Sequence, residues 1–157
     1  MANAEAISVI CHGPGAWRLQ LQPRGLHQLQ QLLDGHSFWA QGRSRKALRQ
    51  MLQGSQAIVS SWQGGALIGF GRATSDGLYR AVLWDVVVDS NHQGQGLGRR
   101  IVETLLQAPA LKHVERTYLM TTNSVGFYSQ LGFKPMGNQQ LMLLKSNELI
   151  ALETGGN

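Results

Sequence analysis

Along this chain, leucines first recur every third or fourth residue and later give way to alternating or unbroken apolar runs, with the change of period near residue 55. Leu26, Leu29, Leu32 and Leu33 follow Arg24 at the spacing of one helical face, and Asp34-Gly35 closes the run, which predicts a first helix. Ser44 is placed to cap a second, shorter helix in which Leu48, Met51 and Leu52 share a face and Gly54 stops the turn. The other face of that helix is basic. Ahead of both, Ile7 to Ile10 and Trp17 to Leu21, separated by Gly13-Pro14-Gly15, predict one edge strand and a loose terminus.

Past residue 55, Ala57 to Trp62, the turn Gln63-Gly64-Gly65, and Ala66 to Ala73 read as a β-hairpin. Asp76-Gly77 makes the next turn. The run Ala81 to Val88 (AVLWDVVV) is apolar on both faces apart from Asp85, the pattern of a central strand covered on both sides. A glycine-rich loop follows, and then Leu97, Ile101, Val102, Leu105 and Leu106 at helical spacing until Pro109. Thr117 to Thr121 predicts a strand, Ser124 to Leu131 a short helix ended by Gly132, and Leu141 to Leu144 a last strand. The order implies an α/β fold, a mixed sheet with helices on both faces. A single domain over 1–157 is expected, with 1–12 and 147–157 as loose termini.

Composition narrows the function classes. A length of 157 residues with 43% hydrophobic and 15% charged residues suits one domain with its own core and excludes disorder for the bulk. The one cysteine, Cys11, can form no internal disulfide and no paired-thiolate zinc site, and the five histidines show no i, i+4 pair, so no metal is expected. No apolar run nears the roughly 20 residues that span a bilayer. The start MANAEAISVI has no basic residue ahead of its apolar part and contains Glu5. A reducing, cytoplasmic setting and no membrane association are expected. The net charge of +5 favours an anionic partner, yet so few charges suit a small polyphosphate better than nucleic acid.

The loop Gln93-Gly94-Gln95-Gly96-Leu97-Gly98 carries the clearest chemistry. Residues without Cβ let backbone approach an anion, and the first N–H groups of the following helix lack intrahelical partners. Arg99 and Arg100 stand in the first turn, where a cation opposes the helix dipole unless an anion is present. A dinucleotide fingerprint would need glycine at position 99, and a Walker A loop would need Gly-Lys followed by Ser or Thr; neither is present. A tight strand-to-helix turn with no ligand remains the alternative.

These residues resemble the Q/R-x-x-G-x-G/A acetyl-CoA signature of the GNAT N-acetyltransferase family. Asn123 to Pro135 (NSVGFYSQLGFKP) resembles the family's N-x-x-A-x-x-F-Y-x-x-x-G-F segment, with Gly126 in place of its alanine. The stretch Gly69 to Gly98 (GFGRATSDGLYRAVLWDVVVDSNHQGQGLG) is similar to the cyanobacterial and plastid branch that includes plant serotonin N-acetyltransferases. The resemblance implies a mostly antiparallel sheet whose strands 4 and 5 splay apart, with acetyl-CoA as cosubstrate. Its pyrophosphate would lie on the N–H groups of Gln95 to Arg100, and its pantetheine arm along the backbone of Val86 and Val88. An N–H of Val87 or Val88 would polarise the thioester carbonyl. Tyr128 would be the general acid toward the leaving thiolate, and Asn123 would bond the pantetheine amide or cap its helix.

For the base, Asp85 is the carboxylate of an otherwise apolar strand, and burial should raise its pKa. Pairing with Arg72 or Tyr79, or a water chain as base, stays open. Arg43, Arg45, Lys46 and Arg49 flank the expected acceptor region; if they line it they disfavour polycations. Phe38 and Trp39, with Tyr79 and Asp85, are the candidate acceptor-binding residues, and Trp84 reads as core or ring wall. The acceptor implied is a small-molecule primary amine, an aralkylamine such as serotonin or tryptamine. A protein lysine or N-terminus is the enzymatic alternative, and a CoA-sensing or nucleic-acid-binding module the non-enzymatic one. The last strand, if exposed, could pair across a homodimer.

Overall fold

The computed structural model describes residues 5–13, 15 and 24–146. The expected apolar piece Trp17 to Leu21 and the terminus 147–157 lie outside the described residues. The described part falls into two compact units divided between Thr121 and Thr122.

The first unit is a five-stranded sheet in sequence order, β1 (Ser8–His12), β2 (Ala57–Gln63), β3 (Ala66–Ser75), β4 (Arg80–Val88) and β5 (Arg116–Tyr118). The first four are antiparallel neighbours, and β5 runs parallel to β4. The β2–β3 hairpin turns on Gly64 and Gly65, at φ 56° and 76°, the pair of positive angles a two-residue turn of this twist needs. Helices α1 (Arg24–His36) and α2 (Arg45–Gln53) precede the hairpin, as the leucine spacing predicts. Ser44 caps α2 by accepting the Ala47 N–H at 3.1 Å, and Gly54 ends it.

One sheet face, through Ile58, Leu67, Phe70 and Val87, packs on Leu26, Leu29, Leu32, Leu33, Leu48 and Leu52 of these two helices. Each such leucine contributes roughly 1.5–3 kcal/mol by leaving water. Helix α3 (Leu97–Gln107) covers the other face, seated on β3 where side chains are missing. A Cβ on Gly69 would stand 2.7 Å from Ile101 Cδ1, and one on Gly71 would stand 2.9 Å from Ile101 Cγ2 and 3.0 Å from Leu105 Cδ1. The mixed sheet with helices on both faces is the architecture the pattern predicts.

The second unit holds α4 (Val125–Gln130), one residue inside the predicted helix at either end. The predicted last strand is corrected: 141–145 is irregular, and Leu141, Met142, Leu143 and Leu144 are all exposed. An unbroken apolar run makes a strand where both of its faces are covered, and here all four side chains are exposed. No described strand pairs with them. An exposed terminal strand as dimer edge is therefore absent from the described residues.

Candidate functional site

Strand β4 carries one extra residue opposite β3. Phe70 faces Val87 and Arg72 faces Trp84, so three steps on β4 match two on β3. At this bulge Asp85 takes φ 53°, the sole positive value for a non-glycine among the described residues. The extra residue lets adjacent side chains serve one face. The Arg72 guanidinium lies 5.8 Å from the Trp84 ring, and the Asp85 carboxylate meets Arg72 as well.

That carboxylate is saturated. Oδ1 accepts the Trp39 indole N–H at 3.2 Å; Oδ2 accepts Arg43 Nη1 at 2.9 Å and Arg72 Nε at 2.8 Å. The Asp85 side chain is 4% exposed. Burial alone would push its pKa up, but the two guanidiniums outweigh burial and hold it below the ordinary carboxylate range. This corrects the expected upward shift: of the two pairings considered, Arg72 is realised and Tyr79 is not. Tyr79 projects at the β3–β4 turn, 61% exposed, where Asp76 accepts the N–H groups of Leu78, Tyr79 and Arg80. Six residues of strand, roughly 20 Å, separate it from Asp85, so Tyr79 does not join this cluster.

The basic cluster divides in two. Arg43 turns inward to Asp85 and Met51 Sδ, whereas Arg45, Lys46 and Arg49 stay exposed on α2. Phe38 and Trp39 form an edge-to-face pair 5.0 Å apart, 65% and 48% exposed, and the Trp39–Asp85 bond ties that pair to the β4 bulge.

Strand β5 pairs with β4 only through Arg80–Arg116, Ala81–Thr117 and Val82–Tyr118. Past Val82 the β4 edge has no strand partner among the described residues, because β5 ends at Tyr118. Val86, Val87 and Val88 lie on this open stretch. The Val88 carbonyl accepts the Gln93 side-chain amide at 3.1 Å.

From β4 the chain passes Asp89 and a 3-10 turn, Ser90–His92, into the glycine loop. Gly94 and Gly96 adopt φ 75° and 79°, and nothing lies within 4 Å of where their Cβ atoms would be. Gly96 caps α3 without a side-chain bond, and its carbonyl receives the Arg100 N–H at 3.1 Å. The N–H groups of Leu97, Gly98 and Arg99 thus start the helix without intrahelical partners. The Arg100 N–H, expected among the phosphate donors, is already committed. Arg99 bonds Glu103 at 2.8 Å, which relieves the cation at the helix start.

Four polar residues not foreseen from sequence anchor this loop. Ser90 N–H donates to His36 Nδ1 at 3.1 Å, and His36 Nε2 lies 3.4 Å from Asp89 Oδ2. His92 Nε2 meets Gln63 Oε1 at 2.8 Å, and the Gln63 amide nitrogen is held by the Glu5 carbonyl at 2.8 Å. Asp89 resists burial through the Asn91 N–H and both imidazoles, which keep its pKa low. The only sequence signal for these residues was their closeness to the glycine loop or to a helix end.

In the second unit Tyr128 stacks edge-on against Phe127 at 4.9 Å and Phe133 at 5.8 Å. Burial pushes its phenol above its usual value, so it stays protonated through neutral pH. Ser124, not Asn123, holds the N-cap position of α4, without a side-chain cap bond, and Asn123 Oδ1 accepts the Ser124 hydroxyl at 3.3 Å. Among the described residues no group of three His, Cys, Asp or Glu is arranged for a metal ion, and no helix is long and apolar enough to cross a membrane.

Comparison with known proteins agrees with this geometry. The profile of the acetyltransferase (GNAT) domain family matches residues 27–142. An uncharacterised N-acetyltransferase, ycf52, of Pyropia yezoensis is 35% identical over 113 residues, covering 69% of this chain and 64% of that protein. The chloroplastic serotonin N-acetyltransferase 2 of Oryza sativa subsp. japonica is 38% identical over 96 residues, covering 58% of this chain and 48% of that enzyme. The chain thus spans less than two thirds of either relative. A crystal structure of a GNAT-family protein from Xanthomonas campestris pv. campestris superposes with a TM-score of 0.73 at 24% identity, over 94% of this chain and 98% of that one, which shows the same fold. With its profile match extending across most of the chain and its fold shared with a solved structure of that family, the chain belongs to the GNAT acetyltransferase family.

Proposed function

We propose that the chain transfers an acetyl group from acetyl-CoA to a small primary amine by direct attack in a ternary complex. The observation that carries this reading is the joining of an open β4 edge to an α3 N-terminus that has no side-chain cap by a loop with two left-handed glycines. Acetyl-CoA supplies a pyrophosphate, an amide-bearing pantetheine arm and an activated thioester. The Leu97, Gly98 and Arg99 N–H groups, with Gln95 and Gly96 beside them, suit the pyrophosphate, and the Arg100 side chain adds charge. The edge of Val86–Val88 that faces away from β3 suits the pantetheine arm, and an N–H of Val87 or Val88 would polarise the thioester carbonyl. Asn123 is the candidate second partner for the pantetheine amides.

Tyr128 is assigned as general acid, since its raised pKa keeps a proton available for the departing sulfur. Asp85 is assigned to positioning, because a carboxylate already bonded by two guanidiniums and an indole is a weak proton acceptor. The amine then loses its proton to water, helped by a cationic surrounding that disfavours ammonium. The exposed Phe38–Trp39 pair supports an aromatic acceptor, in line with the rice relative's name.

The test is Tyr128→Phe with serotonin or tryptamine as acceptor. We expect kcat to fall by about 100-fold or more, with acetyl-CoA affinity within twofold of wild type. Unaltered kcat across pH 6–9 would remove Tyr128 from the mechanism. Tight salt-dependent nucleic-acid binding without thiol release would replace the enzymatic reading itself.

A further inference from the structure

We propose that Arg43 is a specificity-determining residue whose open guanidinium edge receives a carboxylate on the acceptor, so that the preferred acceptor is a primary amine bearing both an aromatic ring and a carboxylate. This rests on the acetyl-transfer reading and narrows it.

A guanidinium carries five N–H groups in a fixed fork. Nη1 of Arg43 uses its two on Asp85 Oδ2 at 2.9 Å and Met51 Sδ at 3.4 Å. The Nε and Nη2 donors have no partner among the described residues, and this edge is one that meets a carboxylate by two parallel bonds. The side chain is 31% exposed, and its Nη1 end is fixed.

Charge counting leads to the same group. Asp85 is the carboxylate that both Arg43 and Arg72 share. Arg72 is the more buried of the two and also reaches Ser55 Oγ at 3.4 Å. One carboxylate against two guanidiniums leaves a surplus positive charge, and it falls on the more exposed partner. Arg45, Lys46 and Arg49 on the neighbouring face of α2 add to it.

Position supplies the ring. Trp39 and Arg43 bond the two oxygens of one carboxylate, so the half-exposed indole lies near the Arg43 side chain, with Phe38 packed against the indole. A ligand stacked on these rings can present a carboxylate to Arg43. An ammonium finds no unoccupied carboxylate there, since Asp85 is taken three times over.

The experiment compares two ligand pairs that differ only in the carboxylate, L-tryptophan against tryptamine and L-phenylalanine against phenethylamine. Turnover is followed by thiol release, and equilibrium binding to the CoA-loaded protein by calorimetry. For the wild type we expect the carboxylate-bearing member to bind, and to turn over in kcat/KM, at least tenfold better. Arg43→Gln should bring that ratio to about one, and Arg43→Lys, which keeps the charge but not the fork, should leave an intermediate ratio. Acetyl-CoA affinity should stay within twofold in both variants. Equal or reversed preference in the wild type overturns the inference, whatever the variants do, and so does an unchanged ratio in a folded Arg43→Gln protein. Selective binding without turnover of any amine would overturn the acetyl-transfer reading and keep Arg43 as the carboxylate site.

Discussion

A carboxylate set into an apolar strand reads as a base when only its burial is weighed; the partners decide the sign. At Asp85 burial is opposed by Arg43 and Arg72, and the net shift is downward. Because folding depresses its pKa, the group's stabilising contribution is present above the ordinary aspartate value of about 3.9 and lost as pH falls through the lower folded value. Asp85→Asn should therefore cost about 3 kcal/mol in urea unfolding at pH 7, since it leaves Arg72 poorly compensated. The gap to wild type should hold between pH 5 and 7 and close in stronger acid. The acidic limb of the activity profile should not move, as it would if Asp85 took the amine proton. A wild-type-like stability at pH 7 with a displaced limb would restore Asp85 as base.

Helix α3 lies against β3 because Gly69 and Gly71 leave room for Ile101 and Leu105. Gly71→Ala should be the costlier change, as its Cβ would meet Ile101 Cγ2, a branch held close to the backbone, as well as Leu105. Gly69 meets the movable Cδ1 end of Ile101 at 2.7 Å and, less closely, the Ser61 Cβ at 3.2 Å. A loss of about 1–3 kcal/mol is expected for Gly71→Ala and less for Gly69→Ala, measured by denaturant midpoint at constant m. Equal stability of the two variants would show that α3 shifts freely. These same elements mark what the sequence could say. Ser44 as a cap, the Gly64-Gly65 turn and the glycine loop are local patterns, legible because the residues that cause them adjoin one another. The register of β4 is not local: the bulge that turns Asp85 toward Arg43 depends on pairing with β3, and no spacing within AVLWDVVV announces it. The contacts of His36 with Ser90 and of His92 with Gln63 span 54 and 29 residues, which hides them equally. The run Leu141 to Leu144 is the opposite case, since an unbroken apolar run makes a strand only where neighbours cover both of its faces, as they do for β4.

Over the described residues, several of the cations behind the excess of +5 are paired within the fold. Arg99 pairs with Glu103, Arg80 and Arg116 share Glu115, and Arg43 and Arg72 share Asp85. What remains open near the described site is the exposed face of α2 and the backbone donors that begin α3. Backbone N–H groups bind a pyrophosphate without releasing a shell of counterions, so the affinity for acetyl-CoA should depend only weakly on salt. Mass action then sets the size of the effect. Acetyl-CoA at one hundred times its Kd should stabilise the folded chain by about 2.7 kcal/mol, a rise of about 5–10 °C in Tm for a chain of this length. Raising salt from 50 to 200 mM should leave most of that rise in place, whereas duplex DNA at equal phosphate concentration should produce none at either salt. A Tm rise with DNA that vanishes at the higher salt, and none with acetyl-CoA, would show the basic helix to be the binding surface and the glycine loop a plain turn.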